Sequence, residues 1–353
     1  MGEKQPNRLR KKIVIATVSV LGVLVGGVAV YTGYLYNKAD TALNRMAAAQ
    51  PAKPGQPAGG ETTGQPMKPI SFLLAGVDNR EGGGGSMNTD ALMLVALNPE
   101  TKDATVVSLP RDMRLKPKQI SSQKANYYYA YHYNKDKEAA IPNTKQFFSE
   151  LFNIPIDYMA VIHFDGFRKL VDTLGGLNID VDMDMRYVDT EDGTDINLKK
   201  GRQILDGKET LDFVRYRKSN QGTAESSDLA RNERQHQVLG QLLDKLTSFN
   251  GIAQWGSVLD IAGESVKTDI PVSLLREWIL QYGKLKPDRL EFVPLEGRWD
   301  SPYIVPTEED VKTALTAFRS RLGLPADDSL KIANVIGVDS PEPNTVTKDT
   351  YRR

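Results

Sequence analysis

Residues 13–36 run from Ile13 to Tyr36 without a single charge. At about 1.5 Å per residue such a helix is about 36 Å long, enough to cross a hydrocarbon core of about 30 Å. A soluble core seldom holds an uncharged run of this length. The run also exceeds the roughly 7 to 15 apolar residues of a signal peptide, and no small-x-small cleavage site follows it. It is read as an uncleaved membrane anchor.

Charge distribution orients the anchor. The whole chain balances 45 basic against 45 acidic residues, but residues 1–12 hold five basic side chains (Lys4, Arg8, Arg10, Lys11, Lys12) and one acid, Glu3. The tail is thus +4 and everything after it −4. Positive flanks stay cytoplasmic, so residues 37 onward are expected outside, with Tyr31, Tyr34 and Tyr36 at the interfacial belt. A Pro/Gly/Gln-rich spacer, 37–69, should hold the next domain near the membrane without fixing its pose. A globular domain is expected over 70–335, with its motifs in 70–248 and further helices and strands in 250–335. A polar tail, 336–353, follows it.

Several chemistries are excluded. A mildly acidic body argues against nucleic acid as a partner. The absence of Cys removes disulfides, thiol catalysis and Cys-ligated metal. Three scattered histidines, His132, His163 and His236, form no His-Glu-x-x-His motif, so a His-built zinc site is not expected.

Within the globular part, β-branched and apolar runs predict strands at 70–76, 91–97, 104–109, 158–164, 177–182, 211–217 and 290–294. Helical patterns cover 143–152, 165–174, 228–248, 272–283 and 307–322. The fold class is α/β, a mixed sheet sandwiched by helices and preceded by one transmembrane helix. The link Asn98 to Asp103 is too short for a crossover helix, which makes the first three strands an antiparallel meander. Its geometry gathers the end of the first strand (Asp78, Arg80), the start of the second (Asp90) and the end of the third (Arg111, Asp112) at one sheet edge.

Between Asp78 and Asp90 lies the run Glu81-Gly82-Gly83-Gly84-Gly85-Ser86. No Gly-Lys-Ser/Thr follows it, and a dinucleotide fingerprint would need a glycine at Met87 or Asn88. It is read as a surface loop, or as one that admits a bulky substrate.

A second basic cluster lies downstream. Strand alternation over 211–217 would point Leu211, Phe213, Arg215 and Arg217 to one side. The helix opening at Asp228 would place Arg231, Arg234 and Gln235 on one face of its first turns. Arginine opposes the macrodipole at a helix start, a conflict that an anionic ligand relieves. Each arginine alone is as well read as solvated or paired with Asp212, Asp228 or Glu233. Together, Arg80, Arg111, Arg215, Arg217 and Arg231 suit a polyanion, and the acids Asp78 and Asp90 add hard oxygen ligands for a Mg²⁺-bridged phosphate or diphosphate. Trp255, Trp278 and Trp299 are read first as core residues and second as glycan-stacking ones.

The ordered motifs Phe72 to Arg80, Asn88 to Val95, Ser108 to Asp112, Phe213 to Arg217 and Asp228 to Gln235 resemble those of the LytR-CpsA-Psr family, over about residues 70–325. One departure is Asn88, where the family often has arginine. The resemblance implies an extracytoplasmic, membrane-anchored phosphotransferase with an α/β sandwich enclosing an apolar tunnel. It would move an anionic glycopolymer such as wall teichoic acid from a polyprenyl diphosphate carrier to the 6-hydroxyl of N-acetylmuramic acid in peptidoglycan. It further implies Asp78 and Asp90 as ligands of Mg²⁺ (or Mn²⁺), and Arg80, Arg111, Arg215, Arg217, Arg231 and Gln235 as the diphosphate-binding set. Asp78, Asp90 and Arg111 are the expected catalytic residues. Two alternatives are a non-enzymatic wall-polymer scaffold and a lipid diphosphate phosphatase.

Overall fold

A computed structural model describes residues 34–47, 67–78, 87–118, 120–190, 193–247 and 255–337. The basic tail, the apolar run as far as residue 33, Arg80 with the glycine loop, and the tail beyond 337 lie outside the described residues. No helix among the described residues is long and apolar enough to cross a membrane.

The three expected strands form an antiparallel meander, β1 (Ile70–Val77), β2 (Thr89–Asn98) and β3 (Asp103–Ser108). Two short strands, β4 (Arg114–Leu115) and β5 (Gln123–Lys124), pair just beyond it. Helices α2 (Tyr127–Lys135) and α3 (Ala140–Phe152) then lead to β6 (Tyr158–His163), which lies parallel to β1. A further helix, α4 (Phe164–Thr173), follows β6 directly. The six-stranded sheet is completed by β11 (Val266–Thr268) and β12 (Arg289–Pro294), in the order β11-β6-β1-β2-β3-β12. Parallel pairs β1–β6 and β3–β12 beside antiparallel ones make the sheet mixed, as expected.

The two faces of the meander differ. Leu73, Ala75, Val77, Leu92, Leu94 and Ala96 are buried under α2, α3 and the Glu308–Arg321 helix, where Phe148, Phe152 and Phe318 close the main core. The alternate residues Phe72, Leu74, Met93 and Val95 are only half-buried, and register places Phe72 opposite Val95 and Leu74 opposite Met93. This second face is a strip of apolar surface that Trp278 partly covers, its indole edge-on to Phe72 and Tyr158.

A satellite core lies beside α4. It is built by β7 (Leu177–Val181) paired with β10 (Gly201–Leu205), and by the hairpin β8 (Met185–Asp189) and β9 (Thr194–Leu198). Helices α5 (Gly207–Arg215) and α6 (Asp228–Thr247) pack on it through Phe213 and Val238. The strand expected over 211–217 is therefore corrected to a helix. Asp206 accepts from the Glu209 backbone at 2.8 Å and Glu209 reaches back to the Asp206 N–H at 3.1 Å, a capping box that starts α5 and overrides the β-like alternation.

Residues 34–46, placed by sequence partly in the anchor and partly in the spacer, are helical here and are termed α1. Leu35 lies against Gly256 and Ala42 against Gly263, seven residues on in each case, so α1 runs parallel to the Trp255–Ser265 helix. A Cβ at Gly263 would come within 2.9 Å of the Ala42 Cα, so only glycine permits this approach. Ion pairs Lys38–Asp260 and Arg276–Asp40 flank the contact, and the Lys267 ammonium donates to the Arg45 carbonyl at 3.0 Å.

Burial also sets a pH response. His236 of α6 stacks on Phe292 with centroids 3.7 Å apart, and burial lowers its imidazole from 6.5 to about 4. The native state thus favours neutral His236, whose contribution is present above the unfolded pKa and is lost as pH falls from 6.5 towards 4. The shift is worth at most about 3 kcal/mol. His236→Phe is expected to flatten the stability profile across that window, measured by denaturant melts at stepped pH.

Candidate functional site

The meander delivers its polar ends to one edge. Val77 pairs with Thr89 and Gly76 with Ala91, which leaves Asp90 as the extra residue of a bulge. A bulge re-aims the side chain it carries, here a carboxylate at the rim. On the next strand end, Arg111 Nη1 lies 2.7 Å from Asp90 Oδ1. Its Nε is buried with no hydrogen-bond acceptor among the described residues, and the Asp112 carboxylate is 3.8 Å away.

The parallel strand β6 ends at the same edge, and α4 begins there with Phe164. A Cβ at Gly76 would sit 3.0 Å from the Phe164 ring, so glycine lets that ring approach the strand end closely. The Arg215 guanidinium is 5.7 Å from the ring centroid, a cation–π distance, and its Nη2 lies 3.5 Å from Asp78 Oδ2. Asp78, Arg215 and Phe164 thereby form one stack.

Asp112 is the carboxylate around which the other cations are organised, a role the sequence reading did not assign to it. It is 4% exposed and meets Lys124 Nζ at 2.8 Å and Arg217 Nη1 at 3.3 Å. Burial would raise its pKa, but the Lys124 hydrogen bond and the charges of Arg111, Lys124 and Arg217 outweigh that and hold it below the ordinary carboxylate range. Backbone bonds fix the segment: Asn126 N–H donates to the Arg111 carbonyl at 3.1 Å and Ala125 N–H to that of Met113 at 2.8 Å.

Arg215 ends α5, and Tyr216 turns the chain out of the helix into extended backbone, which separates Arg215 from Arg217. The two reach the site from a helix terminus and a loop, and not from one strand face. Ser227 caps α6 by accepting from Ala230 N–H at 3.1 Å. Arg231 and Gln235 line the site, but Arg234 does not. At i+3 it sits about 100° around the helix from i+4. There it is 2% exposed, bidentate to Asp182 at 2.7 and 2.8 Å, and donates to the Tyr216 carbonyl at 3.2 Å. Its work is structural.

Asp90, Arg111, Arg215, Arg217, Arg231 and Gln235 all line one cavity of about 340 Å³, and Asp78 stands behind it through Arg215. Of the expected set only Arg80 lies outside the described residues. Five contributors went unrecognised in the sequence. Tyr187, Asp189 and Thr194 come from the β8–β9 hairpin. Asp212 comes from α5, where burial pushes its carboxyl up despite a 2.6 Å hydrogen bond from Lys208. Lys218 adds a further cation. Ala91 belongs both to the cavity lining and to the half-buried apolar sheet face, so the cationic site and the apolar strip adjoin.

Comparison with known proteins identifies the family and the fold. The model of the LytR_cpsA_psr family matches residues 29–318. The chain is 31% identical over 266 residues to TagU of Bacillus anthracis, a polyisoprenyl-teichoic acid–peptidoglycan teichoic acid transferase, covering 74% of this chain and 80% of that one. It is 29% identical over 214 residues to TagV of Bacillus subtilis, which bears the same functional name. That match covers 60% of this chain and 53% of TagV, so the chain spans about half of that relative. The crystal structure of Bacillus subtilis TagV is similar with a TM-score of 0.57 at 26% identity, covering 73% of this chain and 98% of TagV's. Protein gbs0355 of Streptococcus agalactiae shares the fold with a TM-score of 0.61 at 24% identity, covering 74% and 91%.

Proposed function

The chain belongs to the LytR-CpsA-Psr family, and we propose that, like the teichoic acid transferases it resembles, it acts in cell-wall glycopolymer transfer and moves an anionic glycopolymer from a polyprenyl diphosphate to peptidoglycan. The observation that carries this reading is the junction at Ala91 of a cavity holding four arginines with an apolar sheet face. A lipid diphosphate has that same division of chemistry. Its diphosphate would occupy the cavity and its polyprenyl chain the strip along Phe72, Leu74, Met93 and Val95. The apolar run 13–36 would anchor the chain, with the domain outside the cytoplasmic membrane.

In the proposed reaction the 6-hydroxyl of N-acetylmuramic acid attacks the phosphorus that carries the glycan. A new oxygen–phosphorus bond forms, the diphosphate bridge breaks, and polyprenyl phosphate leaves. Negative charge gathers on the leaving phosphate, where the forks of Arg111 and Arg217 and the Arg215 guanidinium stabilise it. Arg111 and Arg215 are held by Asp90 and Asp78. An incoming diphosphate replaces those carboxylates as partner of the arginines, and so frees them to serve as ligands of a metal ion or as acceptor of the hydroxyl proton.

The same two carboxylates fit Mg²⁺ or Mn²⁺. Mg²⁺ is commonly held by one or two carboxylates together with substrate phosphates and water, and among the described residues no cluster of three acidic or His ligands exists to make a closed protein cage. Asp78 and Asp90 would hold the ion, which when bound supplies further charge neutralisation at the phosphate oxygens.

The full-length chain, incubated with a labelled lipid-linked glycopolymer and peptidoglycan with and without Mg²⁺, tests the reading. Label on peptidoglycan together with released polyprenyl phosphate is expected. Release without acceptor would mark a diphosphatase, and binding without release a scaffold.

A further inference from the structure

Trp299 is 52% exposed, so the core role that sequence assigned first to the tryptophans does not hold for it. A singly exposed apolar residue is ordinary on a protein surface. This one is distinguished by where it is fixed. It belongs to the hairpin β13 (Arg298–Asp300) and β14 (Tyr303–Val305), paired directly with Ile304, which is 2% exposed. Ile304 N–H donates to the Asp112 carbonyl at 2.8 Å, and Ile304 is bridged to Met113. A Cβ at Gly297 would meet Ile304 Cγ2 and Pro306 N at 2.7 Å, so the base of the hairpin is closed as tightly as glycine allows. The indole is therefore attached to the same backbone segment that carries Arg111 and Asp112.

The Arg217 guanidinium lies 5.8 Å from the Trp299 ring centroid while its Nη1 holds Asp112 at 3.3 Å. One arginine thus links the cation cluster to an exposed aromatic surface. Aromatic faces carry negative quadrupole charge, and a pyranose presents a face of C–H bonds polarised positive by the ring oxygens. A hairpin fixed in advance offers that surface without ordering a loop on binding.

We propose that Trp299 is a stacking platform for the sugar attached directly to the donor's diphosphate. This rests on the lipid-diphosphate reading above and adds to it a recognition element for the glycan. The donor sugar is chosen over the acceptor because Arg217 is itself one of the diphosphate cations. A phosphate held by Arg217 would sit on the same guanidinium that the indole faces, which brings the first sugar of the donor nearest the ring.

The test compares two probes on the purified full-length chain in detergent: geranylgeranyl diphosphate, and geranylgeranyl diphosphate bearing one N-acetylhexosamine. The wild type is expected to bind the sugar-bearing probe about five- to tenfold more tightly, the size of one aromatic stacking contact. Trp299→Ala should erase that preference and leave affinity for the sugar-free probe unchanged, while Trp299→Phe should keep most of it. Equal weakening of both probes by Trp299→Ala would overturn the proposal and reduce the indole to a support for Arg217. An intact sugar preference, a Phe variant as defective as Ala, or a rise only in the KM for peptidoglycan would also overturn it. Wild-type protein that binds neither probe removes the diphosphate reading itself, and that result appears before any Trp299 variant is made.

Discussion

Arg111→Ala is expected to lower glycopolymer transfer by roughly a thousandfold while leaving the domain folded. A single preorganised donor to developing charge is worth about 10² to 10³ in rate, and Arg111 supplies a fork with one arm on Asp90 and a buried Nε directed at no acceptor among the described residues. Its side chain is 35% exposed, so removal opens no core cavity, and the melting temperature should move little. Arg111→Lys is expected to recover little of the loss, because an ammonium cannot reproduce a planar two-point contact. Transfer assays with the lipid-linked donor, beside a thermal melt of each variant, decide it. More than a tenth of wild-type turnover in the alanine variant would remove Arg111 from the chemistry.

The second large effect is on stability. Asp112→Asn leaves Arg111, Lys124 and Arg217, each about a third exposed, around a buried neutral amide. Removing one partner of a fully buried charge cluster costs about 3 to 5 kcal/mol, and solvent screening of the three part-exposed cations reduces this to about 2 kcal/mol, which for a domain of this size corresponds to roughly 6 °C in melting temperature. The sign of the pH dependence is fixed by the lowered pKa of Asp112. Its contribution is present above the ordinary carboxylate range and is lost as pH falls through the lower native value, so wild type and variant should converge in acid. Equal melting temperatures at pH 7 would show that the cluster contributes nothing net.

The meander and its rim could be read from sequence because they depend on local features: apolar alternation, a six-residue link too short for a helix, and strand ends that topology forces together. Gathering Asp78, Asp90 and Arg111 at one edge needed nothing more. The reading failed at 211–217, where Leu211, Phe213, Arg215 and Arg217 alternate as a strand would but follow the capping pair Asp206 and Glu209. That signal was present five and two residues upstream of Leu211. Arg234 failed for a different reason: helical spacing alone does not tell which side of an arginine pair finds a buried carboxylate, and Asp182 lies 52 residues away in sequence. The contribution of the β8–β9 hairpin also depends on tertiary placement, since nothing local in Tyr187 or Asp189 marks them as cavity residues. Asp112 stood in a recognised motif, yet its role emerges only once Lys124 and Arg217 arrive from other elements.

The docking of α1 changes what the 48–66 segment is for. With α1 held against the Trp255–Ser265 helix, that segment connects two points on one body, and its length would not decide how far the domain stands from the anchor proposed over residues 13–36. If residues 13–33 form the helix that their composition predicts, height is set by the helical residues that precede Ala42, about 1.5 Å for each, and heading by their count, because each residue turns the helix by about 100°. One residue inserted before Ala42 would swing the cavity through more than a quarter turn about the membrane normal, whereas seven would nearly restore its bearing. The direction in which the Arg111 rim faces would then be fixed by helical phase, counted in single residues.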